Sequence, residues 1–437
     1  MSPSKLKVSL SRQRRKFRQF TLGGEWSIPL PDWVKHNLFW YFFDGVFASA
    51  CDNIVITYLV LYFLALGATR TQIGLMSSFS SFASALMLIP GALLVERIGR
   101  RKEITLLFGA GVARLVILLM ALLPIFLGGH TLVWAAIALA VTRDATVNLA
   151  FPAWMDVTGS IVPIEGRGRY FGSRNFMMAT AGILAILVMG ELITQLGQPS
   201  GYQIALVLAF VVGVLSTYSF SRLKDPKAGM VIPKPQVPFF PALKGAFDDI
   251  LAHPAFLSFA LVTAFWNFSI NIVGPFFTVY MVENLKFTAS MVGITGISAS
   301  VASMLIQRKS GELSDRWGPR RIQLVCMLLI PILTFVWVFI NALWQVIVLN
   351  IFGGILWGAL GLASFNLLLS LMPEAQRARY SALFQIFALL ALAVGAAVGS
   401  LVVSQWGIHV AFLCSAAGRF IAALLFFRFV YLSRTIL

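Results

Sequence analysis

The chain has 437 residues, of which 59% are hydrophobic and only 12% are charged, and its mean hydropathy is +0.85. Its 37 Phe and 11 Trp side chains exceed what a water-soluble globule of this length can bury, so the composition excludes a soluble protein and indicates a membrane protein. The net charge of +17 would suit nucleic acid, but the basic residues gather on one side of the predicted helices, which argues against that partner.

Residues 1–36 form a basic N-terminal arm, and the first twenty of them contain no acidic residue. An organellar presequence is the alternative interpretation. The apolar run that follows is too long for the core of a signal peptide, and no small-residue cleavage site comes after it. We therefore expect an arm that is retained on the cytosolic side.

Twelve apolar runs follow, each close to the ~20 residues that a helix needs to cross ~30 Å of hydrocarbon. They are apolar on all sides, whereas the strands of a membrane barrel would alternate apolar and polar residues. The predicted helices 1 to 12 span residues 37–66, 72–94, 104–127, 131–157, 173–195, 201–221, 254–283, 288–307, 322–341, 343–370, 380–403 and 409–433.

The polar segment 222–253 divides these helices into two sets of six. It contains five prolines and five cationic side chains, which is typical of a cytosolic linker, and a short helix is predicted near 242–251. Residues 37–221 then form the N-terminal half, and residues 254–437 form the C-terminal half with a short cytosolic tail.

The distribution of Lys and Arg predicts the orientation of the chain. With a cytosolic N-terminus, 29 of the 34 basic residues lie on the cytosolic side, and only Arg70 and Lys286 lie on the other. This asymmetry follows the positive-inside rule and predicts that both termini are cytoplasmic, in a bacterial inner membrane. The remaining three arginines, Arg114, Arg143 and Arg419, lie well inside predicted helices, whereas Arg174 and Arg428, near the cytosolic ends of helices 5 and 12, are counted with the cytosolic residues.

The two halves repeat each other in sequence. Gly74, Glu96, Arg97 and Gly99 recur 219 positions later as Gly293, Asp315, Arg316 and Gly318. The stretch VPIEGRGRY at 162–170 is echoed 210 positions later by MPEAQRARY, and Asn53-Ile-Val is echoed 218 positions later by Asn271-Ile-Val. The pattern predicts an all-α membrane protein whose twelve transmembrane helices form two six-helix pseudo-symmetric halves in the same orientation.

The stretch GELSDRWGPRR at 311–321 resembles the loop signature of the major facilitator superfamily, Gly-x-Leu-x-Asp-Arg-x-Gly-x-Arg-Arg, between helices 8 and 9. ALLVERIGRRK at 92–102 is similar, with Ala92 in place of the usual Gly and Glu96 in place of Asp. The helix count, the duplicated halves and the linker agree with that family. The resemblance is specific for the fold and says little about the substrate.

The resemblance implies a cytosolic gate between the halves. Glu96 would face the start of helix 11 near Arg379, and Asp315 the start of helix 5 near Arg169, because helix N-termini favour negative charge. Such a latch would set a conformational balance worth ~1–3 kcal/mol. Simple anchoring of the loops by their arginines is the alternative. The predicted gate residues are Glu96, Arg97, Gly99, Arg100, Arg101, Arg167, Arg169, Asp315, Arg316, Gly318, Arg320, Arg377 and Arg379.

Ionisable residues at bilayer depth are costly and usually face a cavity. At ~1.5 Å per residue, Asp52 of helix 1 and Arg143 with Asp144 of helix 4 share a depth. The family resemblance implies that helices 1, 4, 7 and 10 line a central cavity. The predicted substrate and proton cavity residues are Asp44, Asp52, Asn53, Arg143, Asp144, Trp266, Asn267, Asn271 and Trp357.

Two of the cavity acids are candidates for proton coupling. A carboxylate whose charge burial disfavours and a nearby arginine restores can titrate near neutral pH, which suits Asp52 and Asp144. A structural salt bridge between helices 1 and 4 is the alternative. Asp156, at the end of helix 4, is interpreted as a capping or loop-pairing residue. Arg114 and Arg419 are expected to pair within the bundle or to snorkel, and no function is assigned to them.

These features predict a secondary transporter, not an enzyme. The sequence contains no Gly-x4-Gly-Lys-Ser/Thr phrase for an ATP-driven pump and no convergent histidines for a membrane enzyme, and the duplicated halves disfavour a channel. No cofactor or metal is expected, because the three cysteines are scattered.

The acids of helix 1 and the arginine of helix 4 resemble the drug/proton antiporter branch of the family, although RDATVNLAFPAW lacks the Gln-Gly that usually follows the arginine. We expect proton-coupled export of an amphipathic small molecule by a monomer in the lipid bilayer. Import of a polar metabolite such as a sugar is the alternative, followed by lipid flipping and by a sensor that transports nothing.

Overall fold

A computed structural model describes residues 19–24, 26, 29–163, 166–225, 253–372 and 377–432. Within these residues every regular element is helical, and twelve helices are long and apolar enough to cross a membrane. They are α1 (Asp32–Ala65), α2 (Arg70–Ile98), α3 (Arg101–Phe126), α4 (Gly129–Ile161), α5 (Arg167–Leu196), α6 (Ser200–Ser221), α7 (Pro254–Glu283), α8 (Ala289–Trp317), α9 (Pro319–Phe339), α10 (Leu343–Leu371), α11 (Arg377–Trp406) and α12 (Ile408–Tyr431).

The all-helical architecture and the number of spans confirm the predicted fold class. Several helices run beyond the predicted apolar spans: α5 begins at Arg167 instead of residue 173, and α8 ends at Trp317 instead of residue 307. A hydropathy window locates only the part of a helix that lies in hydrocarbon, whereas the backbone hydrogen bonds continue into the polar interface. The helix predicted near 242–251 lies outside the described residues.

Helix α7 is broken, although the sequence pattern predicted a continuous span from 254 to 283. Its first segment is Pro254–Asn271 and its second is Phe276–Glu283. Pro275 has no amide hydrogen to continue the helix, and Gly274 lowers the cost of leaving it. The Ile270 carbonyl accepts hydrogen bonds from the amides of Val273 (3.4 Å) and Gly274 (3.0 Å) at this break.

The chain packs as two compact units. The first consists of residues 1–56, 87–127 and 145–232, and the second of residues 57–86, 128–144 and 233–437. The sequence halves were predicted from the repeat, whereas these units follow spatial contacts, so α1, α2 and α4 each contribute to both units.

The core of the first unit is an aromatic and aliphatic cluster built from α1, α4, α5 and α6. Tyr41 and Tyr170 are fully buried there, and their rings stack with centroids 6.4 Å apart. The Tyr170 hydroxyl donates to the Leu38 carbonyl at 2.7 Å, so this large side chain is both buried and hydrogen-bonded. The cluster fixes α5 against the first part of α1.

Small residues hold the helices of the second unit in close contact. On α11, Gly395 and Gly399 face the backbone of α7 so closely that an added Cβ would collide with the carbonyls of Phe268 and Ile272. On α10, Gly354 meets the backbone of α8 at Ala299 in the same way. Close backbone approach through glycine is the usual packing device between membrane helices, where apolar burial alone gives little preference.

Candidate functional site

An ion pair between α1 and α3 lies inside the first unit. The Asp52 carboxylate accepts a hydrogen bond from the Arg114 guanidinium at 2.7 Å, and Arg114 also points at the Cys51 sulfur at 3.2 Å. The Arg114 side chain is only 9% exposed, whereas 39% of the Asp52 side chain is accessible. The arginine is thus enclosed by the helices, whereas the side chain of its acidic partner is partly exposed.

The fold makes room for Arg114 in two ways. Residues Thr105–Val112 of α3 wind as a π-helix immediately before it. On α6, Gly213 has no side chain, and a Cβ there would lie 2.7 Å from the Arg114 Cδ. The guanidinium is therefore held at a junction of α1, α3 and α6.

A second acid of α1 is buried with its own arginine. Asp44 accepts a hydrogen bond from the Ser216 hydroxyl of α6 at 2.8 Å and pairs with Arg174 of α5 at 3.7 Å. Arg174 donates to the Tyr41 carbonyl at 3.0 Å and lies 4.1 Å from the centre of the Tyr41 ring. Asp44 is only 6% exposed, so its charge is balanced within the unit.

Asn53 lies next to Asp52 but bonds within its own helix. Its amide donates to the Ser49 carbonyl at 2.8 Å, and α5 packs against it at Gly182. In the second unit Arg143 and Asp144 form an ion pair of adjacent residues at 3.0 Å. Both are partly buried on α4, as expected for charges that do not face lipid.

The predicted aromatic residues of α7 and α10 contact each other. The ring centroids of Trp266 and Trp357 are 6.0 Å apart; Trp266 is buried and Trp357 is 39% exposed. The side-chain amide of Asn267 donates to the Thr263 carbonyl of its own helix at 2.9 Å. Trp266 thus belongs to the core of the second unit, whereas Trp357 is exposed and Asn267 is partly exposed.

Asn271 takes part in a contact that the sequence pattern did not predict. Its side-chain amide donates to the Leu392 carbonyl of α11 at 2.8 Å and to the Ser77 hydroxyl of α2 at 3.3 Å. The next residue of α2, Ser78, donates to the Ala393 carbonyl at 2.8 Å. These hydrogen bonds join α2, α7 and α11, and two of them end on backbone carbonyls. We call this group of contacts the seam.

The seam extends to an ion pair at the end of α7. The Arg70 guanidinium, at the start of α2, donates to the Glu283 carboxylate at 2.6 Å. Between the two contacts Gly74 of α2 lies so close to Ser400 and Phe276 that an added Cβ would be within 3.0 Å of both side chains. Arg70 was noted only as one of the rare basic residues on its side of the chain.

The predicted gate residues are described in part. The side chains of Glu96, Asp315, Arg377 and Arg379 lie outside the described set, so the latch remains a prediction. Arg97, Arg100, Arg169 and Arg316 are exposed. Gly99 and Gly318 adopt φ angles of +64° and +80°, a region that favours glycine.

One gate arginine is buried. Arg101 pairs with Asp156 at the end of α4 at 2.8 Å and with Asp225 just after α6. This agrees with the loop-pairing interpretation of Asp156. Arg167 instead donates to the Val162 carbonyl at 2.7 Å and to the Gly159 carbonyl at 3.1 Å, and so supports the last turn of α4.

The partners of the buried acids are what sequence reasoning missed. Arg114 was assigned no function, and Arg174 was not considered. A signal was present, because a chain that places acids inside a helix 1 span needs cations at matching depth, and Arg114 falls inside a span. The particular pairing depends on helix rotation, which the hydropathy pattern does not specify.

Among the described residues, twelve helices that are long and apolar enough to span a membrane, with paired charges inside them, indicate a polytopic membrane protein. The sequence profile of the Major Facilitator Superfamily matches residues 42–308 and 257–435, and the chain belongs to this family. Membership confirms the family resemblance and the expectation that the protein is not an enzyme.

Curated relatives are similar over most of their length. The multidrug resistance protein MdtG of Serratia proteamaculans is 25% identical over 87% of this chain and 90% of its own length. The multi-drug resistance efflux pump PmrA of Streptococcus pneumoniae is 24% identical over 87% of this chain and 93% of its own.

Solved structures share the fold at low sequence identity. The nucleoside transporter NupG superimposes with a TM-score of 0.68 at 13% identity, covering 90% of this chain and 99% of its own. A bacterial homolog of the human lysosomal transporter Spinster, in an inward-facing and occupied conformation, gives 0.65 at 15% identity over 91% and 96%. At such identities the similarity concerns the fold alone.

Proposed function

We propose that this protein is a secondary active exporter that exchanges protons for amphipathic small molecules across a bacterial inner membrane, with both termini cytoplasmic. The observation that carries the proposal is the Asp52–Arg114 pair. Its arginine is enclosed, whereas the Asp52 side chain is 39% exposed. The relatives named as multidrug resistance and efflux proteins support export.

The pair is suited to exchange because its two states differ by one proton. With Asp52 ionised, the N-terminal junction is neutral, because the carboxylate balances Arg114. A proton on Asp52 leaves the Arg114 cation without its counterion and favours rearrangement of the helices. An incoming cationic or polarised molecule that competes with Arg114 for the carboxylate has the same effect as the proton, so the two ligands bind in alternation.

We further propose two gates. On the side where α2 begins, the seam of Arg70 with Glu283, and of Asn271 with Ser77, closes the path to the exterior. On the cytosolic side, the predicted latch closes the path when the seam opens. In this latch Glu96 faces the start of α11 and Asp315 faces the start of α5. Alternating access requires that the two contacts not be made together.

Purified protein in liposomes tests the proposal. An imposed pH gradient should drive accumulation of lipophilic cations, and Asp52→Asn should abolish the response to the gradient and weaken binding of the cation, because the proton and the cation use the same carboxylate. Asp32→Asn is the matched control, because Asp32 is fully exposed in the first turn of α1, where it pairs with Lys35. Its transport should equal that of the wild type.

The alternative functions are distinguished by the same assay. Accumulation of a sugar or nucleoside that is indifferent to Asp52→Asn would replace the proposal with import of a polar metabolite, for which Trp266, Trp357 and Asn267 are the candidate ligand residues. Transfer of a labelled lipid between leaflets, without transport of soluble compounds, would indicate a flippase.

A further inference from the structure

Arg419 is a buried cation at the middle of α12. It lies eleven residues after the start of that helix, and its side chain is 3% exposed. One terminal nitrogen donates to the Thr334 hydroxyl of α9 at 2.6 Å, and the other makes a long hydrogen bond of 3.4 Å to the Ile270 carbonyl of α7. Both acceptors are neutral.

Part of the hydrogen-bonding capacity of Arg419 is not used by the described residues. A guanidinium has five N–H donors and stays protonated in proteins. The Nε of Arg419 has no acceptor among the described residues, and no carboxylate of those residues pairs with this side chain. A full positive charge is therefore enclosed at membrane depth without a described counterion, which is costly.

The sequence repeat shows what is missing. Asn53-Ile-Val and Asn271-Ile-Val align 218 positions apart, so Ile270 stands where the N-terminal half has Asp52. In that half a buried arginine meets a carboxylate on α1; in the C-terminal half a buried arginine meets the backbone of the equivalent helix at the equivalent residue. The arginine comes from α3 in one half and from α12 in the other.

The break in α7 leaves polar backbone groups of that helix next to Arg419. The carbonyl of Ile270 closes the first segment, and the Ser415 hydroxyl, one turn before Arg419, donates to the Ser269 carbonyl at 2.6 Å. Gly418 has no side chain, and the Ser269 side chain lies in the space beside it. The junction of α7, α9 and α12 thus offers a guanidinium, two hydroxyls and irregular backbone, but no described acid.

We propose that this junction binds a small monovalent anionic group, which pairs with the Arg419 guanidinium in the place that Asp52 occupies in the other half. A halide ion and a carboxylate of a transported molecule share this chemistry. The inference does not depend on the direction of transport or on proton coupling, because it concerns the balance of charge within the second unit.

Thermal unfolding of the purified full chain tests the site. Chloride, bromide or acetate is titrated against sodium methanesulfonate, a bulkier monovalent anion, at equal concentration. The melting temperature should rise and saturate with the small anions. A response to chloride and bromide identifies a halide as the source, and a response to acetate alone identifies a carboxylate.

Arg419→Gln should weaken the apparent affinity roughly tenfold or more, since charge-assisted hydrogen bonds are lost. Ile270→Asp introduces a carboxylate at the residue whose backbone carbonyl Arg419 contacts, which is the position of Asp52 in the sequence repeat, and should remove the anion response while the protein stays folded. This second variant keeps the test decisive if Arg419→Gln fails to fold. Arg428→Gln, near the end of α12, is the control and should respond as the wild type does.

The proposal is overturned if the wild type shows no anion response, or if Arg419→Gln or Ile270→Asp responds as the wild type does. Crystals grown in bromide give an independent measurement, with an anomalous peak expected beside Arg419. A peak only elsewhere would count against the site. Failure of the anion site can be distinguished from failure of the proposed proton exchange, because anion binding is measured without a pH gradient.

Discussion

The two sequence halves each enclose one arginine at the junction of three equivalent helices, and they balance its charge differently. Arg114, between α1, α3 and α6, has the carboxylate of Asp52 at 2.7 Å. Arg419, between α7, α9 and α12, has a hydroxyl and a backbone carbonyl. A duplicated scaffold can therefore keep the position of a buried cation while changing what neutralises it.

Because of this difference, we expect the two junctions to have different roles in transport. The N-terminal junction contains a titratable partner, so its charge can change by one proton. The C-terminal junction contains a permanent cation, so only an added ligand can change its charge. Coupling to protons is then expected to reside in the N-terminal half, and recognition of negative charge in the C-terminal half.

The largest expected effect is a difference in the free energy of unfolding between variants of the two arginines. Arg114→Met leaves the Asp52 carboxylate without its cation at membrane depth and should lower the free energy of unfolding by up to about 3 kcal/mol. Arg419→Met removes a cation that has no described carboxylate and should leave stability unchanged, or raise it by ~1 kcal/mol, in a buffer free of small anions. Unfolding of both variants in detergent, followed by melting temperature, measures the contrast.

Equal destabilisation by the two substitutions would remove the distinction between the junctions. The double variant Asp52→Asn with Arg114→Met provides the control for the first. Because it removes both charges, it should recover most of the stability lost by Arg114→Met alone.

A smaller effect is expected from filling the space beside Arg114. In Gly213→Ala the new Cβ would lie 2.7 Å from the Arg114 Cδ and 3.2 Å from the Cys51 sulfur, so the arginine must shift from Asp52. Overpacking of this kind costs ~1–3 kcal/mol. The measurement is the melting temperature together with pH-driven transport, and both should fall.

Gly361→Ala serves as the control, because a Cβ at that position of α10 would meet nothing within 4 Å. It should leave both quantities near wild-type values. A Gly213→Ala protein with normal transport would show that the distance between Arg114 and Asp52 is not critical.

On the C-terminal side, Thr334→Val removes the shortest hydrogen bond of Arg419 and should cost ~1 kcal/mol, since a buried donor then loses its acceptor. Thr217→Val is matched to it: the Thr217 hydroxyl of α6 donates to a carbonyl of its own helix, Gly213, at 3.0 Å. The loss should be larger at Thr334, and it should diminish when chloride is added if an anion replaces the hydroxyl. No difference between the two valine variants would contradict the role given to Thr334.

The smallest expected effect on stability compares the Asp52–Arg114 pair, in which the arginine is enclosed, with a pair in which both side chains are accessible. Arg70 and Glu283 are 40% and 32% exposed, so their coupling in a double-mutant cycle should be ~0.2–1 kcal/mol. Arg70→Gln should nevertheless change the transport rate, because the pair belongs to the proposed outer gate. A coupling as large as that of Asp52 with Arg114 would mean that burial does not determine the strength of these pairs.

The sequence was sufficient for the fold because helix length and apolarity are set locally by the thickness of the membrane. Each of the twelve predicted spans corresponds to a helix, and the signature at 311–321 identified the family. The ends of α5 and α8 were set too short, since polar residues at the interface still extend a helix. The break in α7 had a local signal in Gly274-Pro275 that hydropathy alone overlooks.

The membrane depth of the charged residues in the candidate site was predictable from the sequence, whereas their pairing was not. The position of Asp52 along helix 1 indicated a buried charge, and the structure gives that charge a partner in Arg114 on a different helix. Partner choice depends on how each helix is rotated about its axis, which small differences in packing decide. The hydrogen bonds of Asn271 to α2 and α11 likewise follow from tertiary contact and leave no pattern in the sequence.

The loops after α2 and α8 are extremely short. Only Gly99 and Arg100 separate α2 from α3, and Gly318 alone separates α8 from α9, with both glycines in the left-handed region. A connection of this length has no slack, and its positive φ angle permits few other conformations. The start of α3 and the start of α9 are consequently tied to the ends of α2 and α8, so we expect a displacement of α2 or α8 to move the following helix with it.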